Sequence, residues 1–183
     1  MLTVGHSNKP LAAFLEMLSS HEVGLLVDVR TMPRSRHNPQ FNGDALPRAL
    51  AARGIEYEHM PGLGGLRHPR KDSLNTGWRN ASFRGYADYM QTEEFARNIE
   101  ALCDLEARFG LRSEGASAVA IMCAEAVPWR CHRSLIADAL SIRGAKVAHI
   151  LSATKTEPHK LTSFARVEGT RITYPAPNPE LFG

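Results

Sequence analysis

Apolar residues along the chain follow two spacings, one typical of buried strands and the other of amphipathic helices. Strand-like apolar runs occupy residues 1–5, 24–30, 118–123 and 146–151, and a shorter alternating run occupies residues 55–60. Helix-type spacing fills residues 10–21, 44–54, 86–109 and 134–144. Gly54 and Gly144 stand where two of these helices are expected to end.

Five alternations of strand and helix predict an α/β fold. We expect a single three-layer α/β/α domain with a mainly parallel sheet of about five strands, plus a short C-terminal extension. The expected strand order is 3-2-1-4-5. The domain is expected to span residues 1–183, with its core at about 1–151 and the extension at about 152–183, where a hairpin is predicted around Glu168 and Gly169.

The composition is that of an ordinary globular protein, with 43% hydrophobic and 22% charged residues. Three cysteines, an odd and low number, argue against a disulfide framework and for a reducing compartment. The first residues, MLTVGHSNKP, contain neither a basic leader nor a long apolar core, and no run approaches the roughly 18 apolar residues of a membrane span. We therefore expect a cytoplasmic protein with no membrane partner.

The net charge of +3 is small, but the charge is unevenly distributed. Four loops that follow predicted strands, residues 30–42, 61–83, 124–133 and 152–163, contain 11 Lys and Arg against 3 Asp and Glu. In a doubly wound sheet such loops gather at one edge, where ligands bind. We therefore predict an anionic partner at that edge, either an anionic small molecule such as a phosphate-bearing compound or nucleic acid.

The segment IMCAEAVPWRCHRS, residues 121–134, carries the groups best suited to chemistry. Cys123 ends a buried strand, and Cys131 and His132 stand at the expected start of a helix. A helix N-terminus and the nearby Arg130 and Arg133 would lower the pKa of a thiol such as Cys123, although either cysteine can equally be a packing residue. The same three residues are candidate ligands of a zinc or iron site, but the C-x7-C-H spacing matches no common structural zinc pattern. No other cofactor is evident.

Further candidates lie at the ends of other predicted strands. Glu125 is either a general base or the partner of an arginine. Asp28, in an apolar run, requires a partner such as Arg30. We expect catalytic roles for Cys123, Glu125, Cys131 and His132, and anion- or substrate-binding roles for His6, Ser7, Asp28, Arg30, Arg36, Gly64, Gly65, Arg130 and Arg133.

Several segments resemble a known family: VGHSN, LLVDVRTMPRSR, GIEYEHMPGLGG, FRGYADYM and IMCAEAVPWRCHRSLIADAL. They are similar to the bacterial and archaeal family described as domain of unknown function 488, over residues 3 to about 151. The resemblance implies that the site residues above other than Arg130, together with Pro33 and Ser35, are motif positions of that family. It implies no activity.

A weaker likeness concerns rhodanese-type sulfurtransferases. LLVDVR, a strand-end cysteine and an Arg-Ser pair at a helix start look like their layout, which implies an α/β fold with an anion cradle. Here the loop from Cys123 to Arg133 is about five residues longer and contains a second cysteine, so the likeness does not extend to persulfide transfer.

Three functions remain open from the sequence. The first is a small enzyme that uses the Cys/His/Glu/Arg site on a phosphate-bearing or other anionic substrate. The second is a module that binds nucleic acid or a nucleotide without covalent chemistry. The third is a zinc or iron site of Cys/His type with a structural or redox role.

Overall fold

The computed structural model describes residues 1–112 and 117–176 and shows a six-stranded sheet between two layers of helices. The strands of this sheet are β1 (Leu2–Gly5), β2 (Val23–Asp28), β3 (Glu56–His59), β4 (Ala118–Cys123), β5 (Ala148–Ser152) and β6 (Lys155–Pro158). The helices are α1 (Leu11–Ser20), α2 (Leu46–Ala51), α3 (Ala81–Tyr89), α4 (Glu93–Arg112) and α5 (Arg133–Ser141). The expected α/β class is confirmed.

The strand order is β3-β2-β4-β1-β5-β6, so the expected order 3-2-1-4-5 is wrong. β4 lies between β1 and β2: Gly5 pairs with Cys123, and Val27 pairs with Ile121. A strand with neighbours on both edges suits the uniformly apolar sequence AVAIMC. The sheet also has a sixth, antiparallel strand, because β6 folds back against β5.

Alternation along β4 assigns its side chains to the two faces of the sheet. Val119, Ile121 and Cys123 belong to the core formed with α3, α4 and α5. Ala120 and Met122 belong to the core formed with α1 and α2. Cys123 therefore lies on the same face of the sheet as α5, the helix that follows the loop containing Cys131.

The helix expected over residues 86–109 is two helices. α3 ends at Tyr89 and α4 begins at Glu93. Thr92 makes the break, because its hydroxyl donates to the Tyr89 carbonyl at 2.7 Å and accepts the Phe95 N–H at 3.2 Å. In the sequence, this break is indicated by the five-residue gap between the apolar positions Met90 and Phe95.

The C-terminal extension packs on the domain. Its predicted hairpin is confirmed as β7 (Arg166–Glu168) and β8 (Arg171–Thr173), with Gly169 at a φ of +61° in the turn. Tyr174 follows, is fully buried, and donates its hydroxyl to Asp138 of α5 at 2.8 Å. No helix in the described part of the chain is long and apolar enough to cross a membrane.

Candidate active site

The candidate site lies where the chain changes sides of the sheet. β1 and β4 are neighbours, yet α1, which follows β1, and α5, which follows β4, pack on opposite faces. A crevice forms at the carboxyl ends of two such strands. The loop after β4 passes close to β1 there, since a side chain at Gly5 would collide with the Glu125 carbonyl oxygen.

Two thiols and an imidazole converge at this crevice. His132 Nδ1 lies 3.9 Å from Cys123 Sγ and 3.7 Å from Cys131 Sγ, and the three atoms lie within 4.8 Å of one another. Cys123 comes from the end of β4, Cys131 follows a 3-10 turn at Pro128–Arg130, and His132 precedes the first residue of α5. We call these three residues the Cys/His cluster.

Gly65 brings a second loop against the cluster. A Cβ at this position would stand 2.5 Å from His132 Nδ1, a distance that real Cβ atoms do not show. Gly64 approaches Thr31 in the same way. These contacts give both predicted glycines a physical reason: the loop that follows β3 can pass His132 at Gly65 and Thr31 at Gly64 only because neither residue has a side chain.

The two thiols differ in acidity because they share a hydrogen bond. Donation from the Cys123 thiol, helped by the Arg133 guanidinium and the helix-start N–H, lowers the pKa of Cys131 to about 6 although the residue is buried. The same hydrogen bond and burial raise the pKa of Cys123 to about 12. The lowering that the sequence suggested for Cys123 therefore falls on Cys131.

A pocket of about 400 Å³ opens directly above the Cys/His cluster, and we call it the site pocket. Glu125, Arg130, Arg30 and Gly65 line it together with the cluster, so it joins seven of the predicted site residues. Apolar side chains that are not among the predicted site residues complete its wall: Met32, Leu66 and Phe83. Met32 and Leu66 are 65% and 77% exposed, which the sequence pattern did not indicate.

Arg30 is held by the ion pair expected from the sequence. Its guanidinium contacts the buried Asp28 carboxylate at 2.5 Å and also donates to the Phe41 carbonyl at 2.7 Å. A third contact, at 3.1 Å, joins it to His6 Nε2. Burial lowers the pKa of His6 to about 4, so this imidazole is neutral and accepts the guanidinium proton.

Arg133 is almost fully buried and serves the fold. Its guanidinium donates to the Glu125 carbonyl at 2.6 Å and to Thr3 Oγ1 at 3.1 Å. These bonds fix the loop that carries the Cys/His cluster to β1. Arg133 does not line the site pocket.

The remaining predicted residues lie apart from the cluster. His6 and Ser7 line a neighbouring pocket of about 530 Å³ with Arg34 and Ser35, and Arg30 and Met32 line both this pocket and the site pocket. Arg36 is exposed and lines neither this pocket nor the site pocket. Its predicted role in anion binding stays a prediction.

A buried polar chain behind the site was missed by the sequence analysis. His149 Nδ1 lies 2.8 Å from Thr3 Oγ1, His149 Nε2 lies 3.0 Å from His159 Nδ1, and His159 Nε2 lies 2.8 Å from Asp138 Oδ1. A polar residue inside an apolar run is the signal that could have found Thr3, His149 and Asp138, as it did Asp28.

Comparison with known proteins identifies a family. The family model described as Domain of unknown function DUF488 matches residues 10–140, which is more than half of the chain and includes the whole Cys/His cluster. No curated protein and no solved structure matches.

Proposed function

Given that the chain belongs to the DUF488 family, whose description names no activity, we propose that it is a small enzyme acting on an anionic, phosphate-bearing substrate in the site pocket. One observation carries the proposal: two thiols and an imidazole converge within 4.8 Å at a pocket large enough for a small molecule. Thiols that served only packing would not require a histidine directed at both of them.

The lining of the site pocket suggests the kind of substrate. Arg130 lies exposed at the pocket and forms no ion pair with any residue in 1–112 or 117–176, so its guanidinium is free to bind an oxyanion. Met32, Leu66 and Phe83 offer an apolar wall. A substrate that joins a phosphate or similar group to an apolar or planar moiety fits both features.

Each remaining residue has a role that follows from its place. The Cys/His cluster supplies the reactive sulfur and nitrogen atoms. Glu125, exposed at the pocket, is the proton acceptor. Gly65 keeps room for His132, and Arg133 positions the loop without touching the substrate.

Alkylation with a charged and a neutral reagent tests this proposal. Metal-free, reduced protein is treated with iodoacetate or iodoacetamide, and the modified cysteines are identified by peptide mass spectrometry. Iodoacetate carries a negative charge, so a cationic pocket should favour it at Cys123 or Cys131 relative to Cys103, which lies on α4. We expect the iodoacetate-to-iodoacetamide rate ratio at the cluster to fall several-fold in Arg130→Ala.

Arg108→Ala is the matched control for this experiment, because Arg108 lies on α4 and hydrogen-bonds its own helix at Asp104. It should leave the ratio unchanged. The proposal would be refuted if the cluster cysteines reacted no faster than Cys103 with either reagent. It would also be refuted if the iodoacetate-to-iodoacetamide rate ratio were the same in the wild type and in Arg130→Ala.

Nucleic-acid binding is the second candidate, and a specific observation favours it. Trp129 is 65% exposed beside Arg130, and Arg34 and Arg36 are exposed on the loop after β2. Exposed aromatic and arginine side chains suit stacked bases and phosphates. Oligonucleotide affinity that falls steeply with salt, and drops in Trp129→Ala, would select this candidate over the enzyme.

A further inference from the structure

The Cys/His cluster has the spacing of a metal site. In a tetrahedral zinc site the zinc–sulfur and zinc–nitrogen bonds are about 2.3 and 2.0 Å, which places sulfur and nitrogen ligands about 3.5 Å apart. His132 Nδ1 stands 3.7 Å from Cys131 Sγ and 3.9 Å from Cys123 Sγ. Shifts of a few tenths of an ångström would therefore let all three atoms bind one ion.

The imidazole is directed only at sulfur. His132 Nε2 is buried and has no hydrogen-bond partner in the described parts of the chain, so both polar contacts of the ring are made by Nδ1 with the two cysteines. A single ring nitrogen can donate one proton or offer one lone pair. It cannot bond strongly to two sulfur atoms by hydrogen bonding, whereas a cation between the three atoms would satisfy all of them.

We propose that Cys123, Cys131 and His132 bind a thiophilic divalent cation of the zinc type, with a fourth coordination position open to the site pocket. The inference deepens the proposed function and rests on it, since all three ligands line that pocket. Three protein ligands with one free position characterise catalytic zinc sites, in contrast to the closed four-ligand structural sites. The free position suits an oxygen of the anionic substrate or a water molecule.

The surroundings hold the ligands in this arrangement before any ion binds. Arg133 fixes the connecting loop to β1, and Gly65 sets the position of the His132 ring from the other side. The Tyr86 ring packs 5.0 Å from the imidazole and limits its rotation. Two thiols and a nitrogen form a soft donor set, which selects zinc over magnesium or calcium.

Metal titration of the reduced full-length chain tests the inference. After treatment with a chelator, the protein is titrated with Co²⁺, followed by its sulfur-to-cobalt charge-transfer absorption, and then with competing Zn²⁺. We expect one ion per chain. Binding should be lost in Cys131→Ser and His132→Gln and kept in Cys103→Ser, whose cysteine lies on α4.

A glycine variant tests the geometry without removing a ligand. Gly65→Ala places a methyl group 2.5 Å from His132 Nδ1, so the imidazole must move and Zn²⁺ affinity should fall at least tenfold. Gly110→Ala is the control, because nothing lies within 4 Å of its added Cβ. If a ligand variant fails to fold, this pair decides the question.

The outcomes separate this inference from the proposed function. Absence of stoichiometric binding in the reduced wild type, or Zn²⁺ affinity that is equal in wild type and Gly65→Ala, overturns the metal site. The charge-selective alkylation of the metal-free cysteines can still hold in that case, so the enzyme proposal survives. If the protein bound metal but showed neither charge-selective alkylation nor anion binding, the metal site would be structural. The proposal of an enzyme that acts on an anionic substrate would then be refuted.

Discussion

Arg133 shows how one buried side chain organises the site. It heads a chain of hydrogen bonds that runs through Thr3, His149 and His159 to Asp138. Thr3 accepts from Arg133, so its hydroxyl donates to the neutral His149; each later group then donates once to the next, and His159 Nε2–H reaches the carboxylate. The guanidinium and the Asp138 carboxylate thus lie at opposite ends of one hydrogen-bonded chain, while the buried Nε of Arg133 has no partner among the described residues.

Loss of Arg133 should therefore destabilise the protein. Arg133→Ala leaves the Glu125 and Ala126 carbonyls and the Thr3 hydroxyl without their donor, and we expect the free energy of unfolding to fall by about 3 kcal/mol. Urea denaturation measures it. Arg130→Ala, at an exposed position, should change stability by less than about 0.5 kcal/mol; equal effects of the two variants would contradict the buried role.

His149 should make stability depend on pH. Burial, then the neighbouring His159 and Arg133, lower its pKa to about 4 from 6.5, while Asp138 acts in the opposite direction. Above pH 6.5 the residue is neutral in both the folded and unfolded states. Between pH 6.5 and 4 the unfolded state binds the proton more readily, so the free energy of unfolding should fall by about 3 kcal/mol in total from this group.

The variant His149→Gln isolates that contribution. Its unfolding free energy, measured by urea denaturation at several values between pH 7 and 4, should decline less steeply than that of the wild type. Some decline should remain, because the pKa of His6 is also lowered by burial. Parallel pH curves for wild type and variant would show that His149 is not the buried neutral group described here.

At the scale of elements, the sequence predicted which segments form strands and helices better than how they are arranged. Both GLLVDV and AVAIMC are apolar on two faces, so their pattern indicates central strands without saying which neighbours each has. Strand order depends on pairing between distant segments, which local pattern does not contain. β6 was missed because its four residues are all exposed and show no apolar alternation.

The break between α3 and α4 yields a prediction at this scale. Thr92→Ala removes the hydroxyl that accepts the Phe95 N–H, and loss of such a cap costs about 1 kcal/mol of stability. Thr92→Ser keeps the hydroxyl and should retain most of the stability. Thermal or urea unfolding of the two variants distinguishes them. A fully stable Thr92→Ala would mean that packing alone ends α3.

At the scale of the whole molecule, the basic residues that are in excess in the loops have several different roles. Arg30 and Arg133 are buried and hold the fold. Arg67 stacks 3.5 Å above the Tyr89 ring and lies 3.7 Å from Glu94. A count of charges along the sequence does not reveal which arginines already have partners within the protein. The burial and contacts of each guanidinium group do.

The candidate site was nevertheless found from sequence to the extent that local order determined it. Cys123, Cys131 and His132 lie within ten residues, at a strand end and a helix start, and the fold brings them together. The contact of Gly65 with His132 spans 67 residues and required the tertiary structure. A contact between residues so far apart in the chain depends on tertiary packing, which residue spacing in the sequence does not show.

The most direct test of the account is the calorimetric affinity of pyrophosphate, as a simple phosphate-bearing probe, for the wild type, Arg130→Ala and Arg108→Ala. The account predicts binding to the wild type, affinity at least tenfold weaker in Arg130→Ala, and no change in Arg108→Ala. No binding to the wild type, or equal affinity in all three proteins, would contradict the claim that the pocket above the Cys/His cluster receives an anionic substrate.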